Sequence, residues 1–169
     1  GKIVSLCSLI ATGEEPARAG WPSMEEEQEK TINSYAMLGP PIIAWDNVVG
    51  DLSNPHLENA LTTDKYDFRG FHTQELKRVP FRSAVTFTGN NLRVVGDMCR
   101  RTITCRLEPD TEHPEKIPLA AFRHPQIERH VRQNREVYVA ACLSILRAYI
   151  HAGMPDQGIT FQSFDKSSG

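Results

Sequence analysis

Asp46, at the carboxyl end of the apolar run Pro41-Ile42-Ile43-Ala44-Trp45, is the residue best placed to do chemistry. A carboxylate leaving a buried strand at that end can hold Mg²⁺ directly or through water, as sites that handle phosphate esters require. Asp46-Asn47 is also ordinary turn chemistry. A second run, Ser83-Ala84-Val85-Thr86-Phe87-Thr88, ends at Gly89-Asn90-Asn91. The amide of Asn90 or Asn91 could orient an attacking water or touch a terminal phosphate, using donor and acceptor together, and a plain turn is the competing reading. Arg100-Arg101 could project a guanidinium onto a neighbouring subunit's phosphate, or stand as a solvated pair beside an edge strand. Arg69, Lys77, Arg78 and Arg82 are interleaved with Phe68, Phe71 and Phe81. That pattern suits contact with a single nucleic-acid strand, and equally a hairpin with one charged face.

Other chemistries lack their residues. The six histidines and four cysteines show no metal-ligand spacing, which argues against zinc. No Gly-x-Ser-x-Gly elbow is present. The net charge of −2 lacks the whole-chain basic field of a dedicated nucleic-acid binder, although a local patch is compatible with it. Cys7, Cys99, Cys105 and Cys142 form no CxxC pair and sit in apolar contexts, as reduced core thiols in a cytoplasm would. No apolar run approaches the ~20 residues that span a bilayer. The opening, Lys2 followed by an apolar stretch and small residues, has signal-peptide order but no small-x-small cleavage site.

Positioning these residues requires an α/β scaffold. At 169 residues with 40% hydrophobic content, the chain suits one domain with a real core. Residues 3–11 read as a helix or buried strand and 14–22 as a loop. Ser23 with Glu26 forms a capping-box pattern opening a helix over 24–38, with Ile32, Tyr35, Ala36 and Leu38 on one side. Pro55 starts a helix through about Leu61. Residues 64–82 read as a hairpin or excursion, 96–100 as a short helical turn, and 101–107, which alternates, as an edge strand. The strongest periodicity runs over 127–152, where Val131, Val137, Tyr138, Ala141, Cys142, Ile145, Leu146 and Tyr149 recur at helical spacing. The expected organisation is a core over 1–126, a helix over 127–156 packed on it, and a flexible tail over 157–169.

Taken in order, these pieces resemble the ATPase part of phage and plasmid primase–helicases, relatives of superfamily-three helicases in the P-loop AAA+ class. The resemblance spans about Ile3 to Phe164. Leu9-Ile10-Ala11-Thr12-Gly13 resembles the end of the helix after the phosphate-binding loop. Residues 42–47 are similar to a Walker B strand, with Asp46 as metal ligand. Arg78-Val79-Pro80 leading to Thr88-Gly89-Asn90-Asn91 resembles a sensor strand, and Gly96-Asp97 to Arg100-Arg101 an arginine-finger segment. Phe122-Arg123-His124-Pro125, Asn134-Arg135 and the helix ending Ala152-Gly153-x-Pro155 resemble the family's C-terminal helical region.

The resemblance implies a three-layer P-loop parallel sheet flanked by helices, ATP and Mg²⁺ as ligands, single-stranded DNA as partner, a homo-oligomeric ring and a bacterial or phage-infected cytoplasm. The departures are specific. Gly1-Lys2 is followed by Ile3 where a G-x-x-x-x-G-K-[ST] loop has Ser or Thr, and Asn47 stands where many AAA+ enzymes carry a catalytic Glu. The expectation is therefore a fragment or degenerate copy of a replication ATPase or helicase. The rival is a non-catalytic DNA- or protein-binding module that kept the fold and lost nucleotide binding.

Overall fold

The computed structural model describes residues 1–70 and 75–156. In chain order the elements are α1 (Lys2–Thr12), β1 (Ala17–Gly20), α2 (Glu25–Leu38), β2 (Ile42–Asp46), β3 (Asp51–Leu52), α3 (Pro55–Thr62), β4 (Tyr66–Arg69), β5 (Leu76–Val79), β6 (Ala84–Phe87), β7 (Arg93–Val94), α4 (Ile127–Gln133) and α5 (Arg135–His151), with short 3-10 turns at Gly96–Arg100, Pro114–Lys116 and Leu119–Ala121. They fall into two compact units. One holds Gly1 and Pro16–Thr102; the other holds Lys2–Glu15 and residues 103–156. Thus α1, which the sequence pattern places inside a core of 1–126, groups with the C-terminal helices.

The first unit is built on a three-stranded parallel sheet in the order β1-β2-β6. Ile42 pairs with Ala84 and Trp45 with Phe87, while Ala17 to Gly20 pair with Ile43 to Asp46. Parallel strands are covered on both faces, so β2 is apolar at successive positions: Ile43, Ala44 and Trp45 are all fully buried. Ile43 and Trp45 join Ile32 and Ala36 of α2 and Leu57 and Ala60 of α3 in one core. Burying a side chain such as Ile43 contributes about 2 kcal/mol. The Trp45 ring stacks on Phe87 at 5.0 Å and meets Trp21 edge-on at 4.8 Å. Its Nε1 is buried with no hydrogen-bond partner.

The two strands that carry the candidate site pair twice. Beyond Trp45–Phe87, pairing resumes in parallel as β3–β7, with Asp51 opposite Arg93. Both pairs are 42 residues apart in sequence, so five residues intervene on each strand, 46–50 and 88–92. The two gaps are laced together. Thr88 N–H donates to the Trp45 carbonyl, Val48 N–H to the Thr88 carbonyl and Arg93 N–H to the Gly50 carbonyl.

Asn54 caps α3 by accepting from Leu57 N–H at 2.9 Å, with Pro55 next to it in the first turn. Its Nδ2 donates to Gln28 Oε1 of α2 at 2.8 Å. Tyr66 on β4 donates its hydroxyl to Asn33 of α2 at 2.8 Å in the buried interior. The hairpin β4–β5 is antiparallel, with Asp67 opposite Arg78 and Phe68 opposite Lys77.

In the second unit α1 packs against α4 and α5. The Arg135 guanidinium closes the end of α1, with Nε donating to the Leu9 carbonyl at 2.9 Å and Nη2 to the Ala11 carbonyl at 3.2 Å. A cation on these terminal carbonyls satisfies acceptors that the helix itself cannot.

Several local expectations are corrected. The capping box does not form: Met24, not Ser23, is the cap of α2, and no side chain caps it. Residues 14–22 contain a strand, β1, that pairs in parallel with β2. Residues 101–107 form no strand; Ile103 and Leu107 are exposed and have no strand beside them. The helix expected over 127–152 is broken at Asn134, whose Nδ2 donates to the His130 carbonyl at 2.9 Å and competes for the helical ladder. Its periodicity gives a helix without a buried face, since no residue of α5 is buried and Ile145 is 70% exposed. Leu38 is likewise exposed. All four cysteines are exposed rather than in the core. Phe71 and the tail over 157–169 lie outside the described residues. No helix among the described residues is long and apolar enough to cross a membrane.

Candidate functional site

The carboxyl edge of the β1-β2-β6 sheet places Asp46 beside Thr88. Asp46 Oδ1 accepts from the Thr88 hydroxyl at 2.7 Å and from the Gly1 amine at 2.6 Å, and Oδ2 accepts from Arg18 Nη1 of β1. The Gly1 amine, the Thr88 hydroxyl and Arg18 together hold the Asp46 carboxyl down to about 2, so it is ionised throughout the physiological range.

Thr88 is fixed for this contact through its backbone. Its N–H and carbonyl are both engaged by the neighbouring strand, at Trp45 and Val48. Gly89 follows under close constraint. A Cβ there would lie 3.0 Å from the Val48 carbonyl carbon and inside the van der Waals envelope of its oxygen. Asn47 on the opposite strand turns with φ 57°, the left-handed region that Asn tolerates better than most residues.

A carboxylate and a hydroxyl at one strand edge form a hard-oxygen donor pair. Mg²⁺ takes such donors sparingly, using one or two carboxylates and filling its remaining positions with water and substrate phosphates; at Asp46 it would have to displace the Gly1 amine and Arg18, which already engage both carboxylate oxygens. No group of three or more His, Cys, Asp or Glu side chains that could hold a metal occurs among the described residues. A full protein-built cage is therefore not formed by the described residues around Asp46.

The remaining predicted residues lie in the same unit. Asn90 and Asn91 are exposed in the gap after Thr88, with Asn91 at φ 56°. Arg100 ends the 3-10 turn anchored by buried Met98 and Arg101 caps it; both are exposed. The basic stretch is not gathered on one face. Lys77 is opposite Phe68, whereas Arg78 and Arg69 belong to the other face of the hairpin. Arg78 is held by Asp67 through two bonds of 2.7 Å, and Lys77 by Glu75 at 2.9 Å. Arg69 and Arg82 are exposed. Phe68 is buried and Phe81 packs against the core, so neither offers an open ring for a base.

Sequence reasoning missed Arg18 and the part played by Thr88. Ala17-Arg18-Ala19-Gly20 has none of the β-branched residues that mark a strand, and the Thr88–Asp46 contact depends on register between distant segments. In comparisons with known proteins the chain matches no family model, no curated protein and no solved structure.

Proposed function

We propose that this chain is a fragment or degenerate copy of an ATP-hydrolysing replication protein of phage or plasmid type, a P-loop ATPase of three-layer α/β architecture coupled in its intact form to DNA unwinding. The observation that carries the reading is the placement of Asp46 and Thr88 side by side at the carboxyl ends of adjacent parallel strands. Ligands of open α/β sheets bind at that edge, and a nucleotide site needs an ionised acid there.

In this reading Asp46, with Thr88 beside it, would hold Mg²⁺ in place of the Gly1 amine and Arg18, and the ion when bound would neutralise charge on the β- and γ-phosphates. Thr88 orients the carboxylate, and Asn90 or Asn91 positions the attacking water. Arg100 or Arg101 reaches the phosphate of a neighbouring protomer in a homo-oligomeric ring. Arg69, Lys77, Arg78 and Arg82 contribute charge toward single-stranded DNA; Lys77 and Arg78 would first have to exchange their carboxylate partners for backbone phosphate.

The test is Mg²⁺-dependent ATP hydrolysis by the chain as it stands and with a G-x-x-x-x-G-K-[ST] loop installed ahead of Ile3. Turnover is expected in the second form, falling roughly 100-fold or more on Asp46→Ala. Normal turnover by the unextended chain that Asp46→Ala leaves unchanged overturns the proposal.

A further inference from the structure

The second unit contains a cluster of basic groups that the ATPase reading does not use. Counted from Gln126, the side chains of Arg129, His130 and Gln133 recur at three, four and seven residues, which places all four on one face of α4. Glu128, two residues from Gln126, falls on the opposite side of the helix, and Arg132, at the flank of this face, is outside the lining and pairs with Glu15 at 3.1 Å. The chain entering α4 brings Arg123 and His124 over the same face. Together these residues line an open cavity of about 400 Å³.

The lining has one chemical character. Two guanidiniums, two imidazoles and two carboxamides line it together with Pro125, and no carboxylate is among them. The His124 and His130 rings stack at 3.9 Å, 18° from parallel. Desolvation, His130 and Arg123 together push the His124 imidazole below its usual range. Structural ion networks alternate sign; the lining of this cavity carries two guanidiniums and no carboxylate. Within the cluster Arg129 donates from Nη1 to Gln126 Oε1 across a long 3.4 Å.

We propose that this cavity binds a phosphate ester through the guanidiniums of Arg123 and Arg129, with the His124 and His130 imidazoles and the Gln126 and Gln133 amides completing the donor set. Two planar forks plus further N–H donors match the several acceptor oxygens of a phosphate better than the two of a carboxylate. The cavity is open to solvent, so the sugar attached to the anion is not sterically excluded. The ester can come from a free nucleotide or from a nucleic-acid backbone, which present the same group. The site lies wholly within the second unit and shares no residue with the Asp46 site, so each proposal can fail without the other.

The experiment uses the full chain and three probes, inorganic phosphate, AMP and a fluorescent oligo-dT strand, titrated at two salt concentrations. Arg123→Gln/Arg129→Gln is the test variant, both residues being exposed. Arg132→Gln, outside the lining and paired with Glu15, is the control. Binding of at least one probe is expected, weakened about tenfold or more in the double variant and little changed in the control. Saturable binding of AMP identifies a nucleotide as the source. Binding confined to oligo-dT, with a steep fall in affinity as salt rises, identifies the backbone. Absence of binding by all three probes, or binding that the double variant leaves intact for every probe that binds, overturns the proposal.

Discussion

Gly89→Ala should damage the first unit more than its single methyl suggests. The added Cβ would collide with the Val48 carbonyl oxygen and lie 3.0 Å from its carbon, and both atoms are backbone. Relief requires the 88–92 gap to move away from 46–50, stretching the bond from Val48 N–H to the Thr88 carbonyl, now 2.9 Å. Overpacking of this kind costs ~1–3 kcal/mol, and a weakened hydrogen bond adds ~1 kcal/mol. The expected loss is therefore roughly 2–4 kcal/mol. Gly50→Ala, in the facing gap, provides the control. Gly50 has φ 86° and a Cβ added to it would meet nothing within 4 Å, so its cost is conformational alone, about 1–2 kcal/mol. Urea unfolding followed by tryptophan fluorescence measures both variants. The two tryptophans of the chain, Trp21 and Trp45, lie in this unit and report on it directly. A Gly89→Ala midpoint equal to or above that of Gly50→Ala, at unchanged slope, would refute the argument from crowding.

Three further outcomes follow from the same interior. The Asp46 carboxyl is held at about 2, below its ordinary value of about 3.9, so it stabilises the folded state above that ordinary value and the contribution is lost as pH falls through 2. Urea midpoints taken at pH 5 and pH 2.5 should fall more in the wild type than in Asp46→Asn, and parallel declines would count against the assigned partners. Asn54→Ala removes the α3 cap and strands Gln28 Oε1, for an expected cost of about 1–2 kcal/mol in the same assay. Tyr66→Phe leaves Asn33 Oδ1 without its buried donor and should cost about 1–2 kcal/mol, whereas a neutral result would mean that water replaces the hydroxyl.

The sequence made β2 and β6 readable because buried parallel strands are apolar or β-branched at successive positions. It made α3 readable through Pro55 and the hairpin through its flanking aromatics. What it concealed were features owed to pairing across distance. β1 is a strand because β2 offers it a backbone edge, and Ala17-Arg18-Ala19-Gly20 contains no local sign of that. Asp46 was visible as a strand-end acid, but its partners Thr88 and Arg18 come from two other strands and appear only with the register. The α5 periodicity misled in the opposite direction. A helix apolar on most sides shows apolar residues three and four apart on whichever side is taken, whether or not anything covers it, so Val137, Ile145 and Leu146 read as core and are exposed. The cavity beside α4 was hidden because Arg123 and Arg129 are brought together by the bend at Pro125.

The equal spacing between the two pairings of these strands limits how the chain can change length. Removing one residue from 46–50 alone would shift β3 out of step with β7 and send Leu52, now fully buried, toward water. Removing one from 88–92 alone would do the same to Val94. A matched deletion in both could keep the ladder in phase, so indels at this edge should be tolerated only as compensating pairs.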